Sequence, residues 1–152
     1  MPWAERHTTA VFGALLRALR REARAGRAFP FAVTYEGRLV GQVNVSGVVR
    51  GASDSGAVGY WVDRRVAGRG VTPTAVALVV DHVFDVAGLH RVEANVRPEN
   101  TASLRVMAKL GFRREGLHER FLYIDGAWRD HVAFAVVRDD LPGGLLRRYT
   151  GS

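Results

Sequence analysis

The chain has 152 residues, 47% of them hydrophobic, enough for a single domain spanning 1–152 with a sizeable core and too little for two ordinary ones. It contains no cysteine, which excludes disulfides, thiolate metal sites and a cysteine nucleophile; any chemistry must come from oxygen, imidazole, backbone groups or a bound cofactor. A net charge of +7 admits an anionic partner, but Lys109 is the only lysine, and so one-sided a use of arginine reads as the composition bias of a GC-rich genome.

No apolar run reaches the roughly 18 residues needed to cross a bilayer, and Met1-Pro2-Trp3-Ala4-Glu5 does not begin a secretory leader, so a cytoplasmic protein with no membrane partner is expected. From about Thr9 to Ala25, Val11, Leu15 and Leu19 recur at fourfold spacing, which predicts an amphipathic helix. Phe29 to Tyr35 and Arg38 to Val49 are rich in valine and aromatic residues and flank Glu36-Gly37, so they should pair as a hairpin. A polar loop, Arg50 to Gly56, leads to a short strand at Ala57 to Val62. A long helix follows from about Pro73 to Val86, with Val76, Val79, Val80 and Val83 on its buried side, Thr72 as its cap and Pro73 at its first position.

His90 to Val96 alternates, Val92, Ala94 and Val96 against Arg91, Glu93 and Asn95, which predicts a half-buried strand. The next helix starts near Asn100 and ends at Gly111, a residue suited to a left-handed stop that lets Phe112 fold back onto Met107. Arg113 to Val137 reads as two strands joined at Asp125-Gly126. The order of elements predicts a mixed α/β sheet whose parallel part comes from the crossovers through the two later helices.

The stretch from Val58 to Thr72 is a strand running into a glycine-bearing loop that opens a helix. Gly68 and Gly70 allow positive φ and close backbone approach, and the helix start offers free N–H groups and a positive dipole end, a setting suited to a diphosphate. Arg65 and Arg69 add charge-assisted donors. Glycine after a strand is often only a turn, so both readings stand at this point. No Gly-Lys-Ser/Thr follows, and the third glycine of a dinucleotide fingerprint is missing, which excludes those two nucleotide motifs.

Arg65-x-x-Gly68-x-Gly70 is similar to the Gln/Arg-x-x-Gly-x-Gly/Ala signature of the GNAT (Gcn5-related) N-acetyltransferases. Arg91 through Ser103 and Lys109-Leu110-Gly111-Phe112 look like that family's fifth strand and following helix, and the hairpin Tyr123 to His131 resembles its RimJ/RimL branch. The resemblance covers roughly Phe29 to Val137. It implies the GNAT fold, with a twisted mixed sheet splayed between two central parallel strands, here Ala57 to Val62 and His90 to Val96. It also implies acetyl-CoA as co-substrate, its pyrophosphate held at Arg65, Gly68, Arg69, Gly70, Val71 and Thr72. The thioester carbonyl would lie by the backbone of Val62, and Asn100 and Ser103 beside the thioester end. The reaction implied is direct attack of an amine, the N-terminal amine of a ribosomal or other protein, with a small-molecule amine as the alternative. A non-catalytic module binding CoA, a protein or RNA is the second class.

Many family members place a tyrosine seven residues beyond the asparagine, where this chain has Met107, so Ser103 becomes the residue to serve the leaving thiolate and Glu93 the general base. Ser103 has a plainer reading as a helix-start residue that satisfies a backbone group, and Glu93 as the partner of a neighbouring arginine. His118 and His131 can reach the acceptor side, but no histidine pair has metal-ligand spacing with a carboxylate, so no metal is expected; His7, His82 and His90 read as surface or strand-end residues. No basic stripe interleaved with aromatics suggests specific nucleic-acid binding. Family members begin with a strand and a helix not found here, so the edge at Phe29 to Tyr35 is expected to be exposed and to invite a homodimer.

Overall fold

The computed structural model describes residues 9–152, so the leader reading of Met1 to Glu5 and the placement of His7 lie outside the described residues. In chain order the elements are helix α1 (Thr9–Arg24), strands β1 (Phe29–Tyr35), β2 (Arg38–Val49) and β3 (Ser55–Val62), and a 3-10 turn (Arg64–Val66). Helix α2 (Val71–Asp85), strand β4 (Arg91–Val96), helix α3 (Thr101–Leu110) and the long strands β5 (Arg113–Ile124) and β6 (Ala127–Val137) follow. A second 3-10 turn (Arg138–Asp140) precedes the short helix α4 (Leu145–Thr150).

The strands form one sheet in the order β1-β2-β3-β4-β6-β5, antiparallel except for the β3/β4 pair. Both hairpin turns form where glycine follows an acidic residue. Glu36 and Gly37 take φ of 51° and 77°, and Asp125 and Gly126 take 50° and 79°, the doubly left-handed turn that matches strand twist. β1 is an edge strand, as expected from the order of elements.

The core lies between the sheet and α2. Val76, Val80 and Val83 are fully buried and Val79 nearly so, packed in one cluster with Val43 and Val45 of β2 and Val92 and Ala94 of β4. Burial of each such side chain contributes about 1.5–3 kcal/mol. Gly111 ends α3 at φ 69°, and the Phe112 N–H donates back to the Met107 carbonyl at 3.0 Å. Met107 itself is fully buried core, so this position serves packing.

Two boundaries differ from expectation, and both matter for the site. Helix α2 starts at Val71, two residues early, with Gly70 at φ 74° as the capping residue in place of Thr72; the Gly70 carbonyl accepts from the Thr74 N–H at 3.2 Å. Pro73 therefore falls at the third helical position, where its missing N–H is still one of those with no intrahelical partner. Strand β3 also starts early, at Ser55, because the Asp54 carbonyl accepts from the N–H groups of His90 (2.7 Å) and Arg91 (3.2 Å) and aligns the two chains for parallel pairing.

Helix α4 was not foreseen. The Asp81 carboxylate of α2 accepts from the N–H groups of Leu145 (2.6 Å) and Leu146 (3.0 Å). At its other end the Arg148 guanidinium donates to the carbonyls of Leu110 and Gly111, closing the C-terminus of α3. The short helix thus ties α2 to α3 behind the site.

Candidate active site

β3 and β4 pair at only three positions, Ser55↔Arg91, Gly56↔Val92 and Ala57↔Glu93. Beyond them the strands part, and from Val58 to Val62 the β4-facing side of β3 has no strand partner. The gap holds a cavity of about 220 Å³ lined on one side by Val58, Gly59 and Tyr60, and on the other by Ala94, Asn95, Val96 and Arg97. Asn100 and Ser103 of α3 and His131 of β6 complete it. The expected splay is present, and it opens where the sequence placed it.

The polar atoms around this cavity are unusual. Among the described residues, the buried side-chain atoms without a hydrogen-bond partner are the Tyr60 hydroxyl, Asn95 Oδ1 and Arg97 Nε. All three residues line the splay. Leaving one such atom unpaired costs about 1–3 kcal/mol, so three of them on residues lining one space mark a place where a polar ligand belongs. Ser103 is the polar neighbour of the Tyr60 hydroxyl; burial raises the Tyr60 phenol above its ordinary value, and Ser103 offsets part of that rise.

Asn100 caps α3, its Oδ1 accepting from the Ser103 N–H at 3.2 Å. The capping role thus falls to Asn100, and the Ser103 hydroxyl stands beside Tyr60 at the cavity. Glu93 is placed differently. Its carboxylate accepts from Arg91 Nε at 2.9 Å and lines a separate pocket with Arg91, Glu115, Gly116, Leu117 and His118. Glu115 accepts from the same Arg91 and from Arg113, and these guanidiniums hold its carboxyl down to about 2. The plainer expectation for Glu93, an arginine partner, describes this geometry.

Past Val62, whose strand position pairs with Gly41, the chain turns at Asp63. The Asp63 carboxylate accepts from the Arg65 N–H (2.9 Å) and from the Arg65 guanidinium (2.6 Å), which hold its carboxyl down to about 2. The Arg65 side chain is therefore folded onto Asp63, which organises the loop. Gly68 and Gly70, at φ 76° and 74°, turn the chain into α2. The N–H groups of Val71 and Thr72 head that 15-residue helix, with Arg69 exposed beside them. A Cβ built on Gly70 would stand 3.5 Å from the Tyr149 hydroxyl, so α4 reaches the same corner. An apolar cavity of about 420 Å³ adjoins it, between β1 and the start of α2.

Tyr60, Asn95, Arg97 and Tyr149 were not singled out for chemistry. Tyr60 lies within the strand expected at Ala57 to Val62 and Arg97 just beyond the one at His90 to Val96, and only the three-dimensional gap shows that their polar atoms line it. No group of histidine, aspartate and glutamate among the described residues is arranged to hold a metal ion, and no described helix is long and apolar enough to cross a membrane.

Comparison with known proteins agrees with this geometry. The chain is 41% identical over 103 residues to the probable N-acetyltransferase YjcK of Bacillus subtilis, an alignment spanning 68% of this chain and 57% of that protein. It is 35% identical over 109 residues to the ribosomal protein uS5-alanine N-acetyltransferase of Escherichia coli, covering 72% of this chain and 56% of that one. The chain thus spans little more than half the length of these curated relatives. Among solved structures, Mycobacterium smegmatis RimJ in complex with CoA-disulfide superposes with a TM-score of 0.95 at 43% identity, covering 99% of this chain and 72% of that one. The ribosomal-protein-S5-alanine acetyltransferase of Vibrio fischeri superposes with a TM-score of 0.79 at 35% identity, covering 88% and 74%. The family described as "Acetyltransferase (GNAT) domain" matches residues 1–113, and with the sheet splayed beyond Ala57 and Glu93 the chain belongs to the GNAT acetyltransferase family.

Proposed function

We propose that this chain is an acetyl-CoA-dependent N-acetyltransferase whose acceptor is the N-terminal amine of a protein, a ribosomal protein being the favoured class. The observation that carries the reading is the gap between β3 and β4, lined by Asn95 and Arg97, whose buried Oδ1 and Nε have no partner, and by Tyr60, whose buried hydroxyl has Ser103 as its polar neighbour. The relatives named for alanine N-acetyltransfer on a ribosomal protein support the acceptor class.

In this reading the diphosphate is held by backbone N–H groups of the Gly68 to Thr72 segment at the start of α2, where the helix dipole favours an anion, with Arg69 as the nearby cation. Arg65 acts through Asp63 to set the loop, since its guanidinium is already paired. The acyl arm runs from the diphosphate past Val62 along the unpaired side of β3, with the thioester near Asn100 and Ser103. Ser103 stands ready to pass a proton to the departing sulfur, beside a Tyr60 phenol that burial raises above its ordinary value.

Calorimetric titration with acetyl-CoA tests the proposal. One-to-one binding that is lost with Gly70→Asp supports it, and a folded chain that takes up no acetyl-CoA refutes it.

A further inference from the structure

The amine side of the reaction needs a group that removes a proton from the incoming ammonium, because only the free amine is a nucleophile. The carboxylate expected for that task, Glu93, is engaged by Arg91 and lines another pocket. We infer that His131 is the general base of this enzyme and that Asn95 positions the amine beside it; the inference rests on the acetyltransfer reading above.

His131 is 3% exposed, the only buried polar or charged residue among the described ones, and it is one of the residues lining the splay cavity. Its Nδ1 lies 3.0 Å from the Arg129 carbonyl oxygen. A carbonyl can only accept, so Nδ1 carries the proton, and in the neutral ring the lone pair belongs to Nε2. The ring is held by its neighbours. Phe121 packs edge-on against it at 6.0 Å between centroids, and His118, directly across on β5, packs on Phe121 at 4.6 Å.

Asn95 lies opposite Ala133, and His131 stands two residues along β6 from Ala133, so Asn95 and His131 project from the same face of the sheet. Asn95 Oδ1 is buried and unpartnered. Asn95 and His131, which carry the acceptors Oδ1 and Nε2, line one cavity, and the complement of two acceptors is a group with several N–H donors. A primary ammonium fits, and an alcohol or thiol, with one hydrogen to give, does not satisfy both. Arg97, two residues on from Asn95, adds an unpartnered Nε donor for a carbonyl oxygen.

The proton balance follows. His131 Nε2 takes one proton from the ammonium. The amine nitrogen then bonds to the acetyl carbon, the carbon–sulfur bond breaks, and a second proton from that nitrogen reaches the sulfur by way of the Ser103 hydroxyl. The nitrogen keeps its third hydrogen as the amide N–H, and His131 releases its proton to water.

The test uses the full chain, acetyl-CoA and a short peptide with a free N-terminal alanine. His131→Asn keeps a donor for the Arg129 carbonyl and removes Nε2; His131→Ala opens space for added imidazole. The expected result is a fall in kcat of about 100-fold or more in both variants, acetyl-CoA affinity within about twofold of wild type as proof of fold, and recovery of His131→Ala by imidazole. Activity of His131→Asn within about threefold of wild type, or a loss that imidazole does not restore while acetyl-CoA still binds, overturns the assignment and leaves the acetyltransfer reading in place. A wild-type chain that acetylates no such peptide overturns both.

Discussion

Ala57 and Glu93 form the last paired register between β3 and β4, and one residue further the sheet is open. Gly59, two positions past Ala57, lines that opening, and a Cβ built on it meets no atom within 4 Å. Gly59→Val therefore adds a side chain at the opening whose Cβ meets no protein atom, and valine suits a strand. Acetyl-CoA affinity is expected to fall about tenfold or more, roughly the 1.4 kcal/mol of a displaced contact set, with the melting temperature unchanged or raised. Calorimetry beside thermal melting checks both halves; a parallel loss of stability and binding would contradict the placement.

The cradle and the chemistry should separate by mutation. Gly70→Asp puts a carboxylate at the head of α2, where it repels the diphosphate and competes for the same N–H groups, at a backbone position with φ 74° that strains any side chain. Acetyl-CoA affinity should fall by more than the ~1–3 kcal/mol of a single charge-assisted contact. Ser103→Ala should leave affinity nearly intact and lower kcat. Titration calorimetry and a thiol-release assay on the two variants give the comparison.

Gly41 faces Val62 across β2 and β3, and a Cβ there would stand 2.3 Å from the Trp61 carbonyl oxygen, a backbone atom that cannot swing aside. Gly41→Ala is expected to destabilise the chain by about 1–3 kcal/mol or more and to disturb the strand end that leads into the cradle. Urea unfolding measures the first effect and acetyl-CoA affinity the second.

Acid should loosen the fold in a defined window. The carboxyls of Asp63 and Glu115 are both held to about 2 by their arginines, below ordinary values of 3.8 and 4.5. Groups depressed on folding add stability that is complete above their ordinary values and is lost as the pH falls towards 2. Both pairs are solvent-screened, so the contribution is modest. Melting temperature recorded from pH 5 to pH 2 should fall less steeply in Glu115→Gln than in wild type, and identical slopes would exclude the pairing in solution.

Much of the site was legible because it is built from local signals. Gly68 and Gly70 mark the turn, the valines at 76, 79, 80 and 83 mark the helix behind it, and both acidic-glycine hairpins fall where read. What was not legible depends on contacts distant in sequence. Ser55 and Gly56 read as loop, yet the Asp54 carbonyl draws β4 alongside them and makes them the parallel pair. Helix α4 likewise depends on Asp81, 64 residues before the Leu145 N–H that its carboxylate accepts from, whereas the Arg91 partner of Glu93 stands two residues away and was legible. Tyr60 and Asn95 became notable only because the strands part between them.

The most direct test of the account is intact-mass measurement of a peptide with a free N-terminal alanine after incubation with the chain and acetyl-CoA. A parallel sample carries the same peptide with its amine blocked. The account predicts a gain of one acetyl group on the free peptide, release of an equal amount of CoA thiol, and neither change with the blocked peptide. An unmodified free peptide in the presence of a chain that binds acetyl-CoA would contradict it.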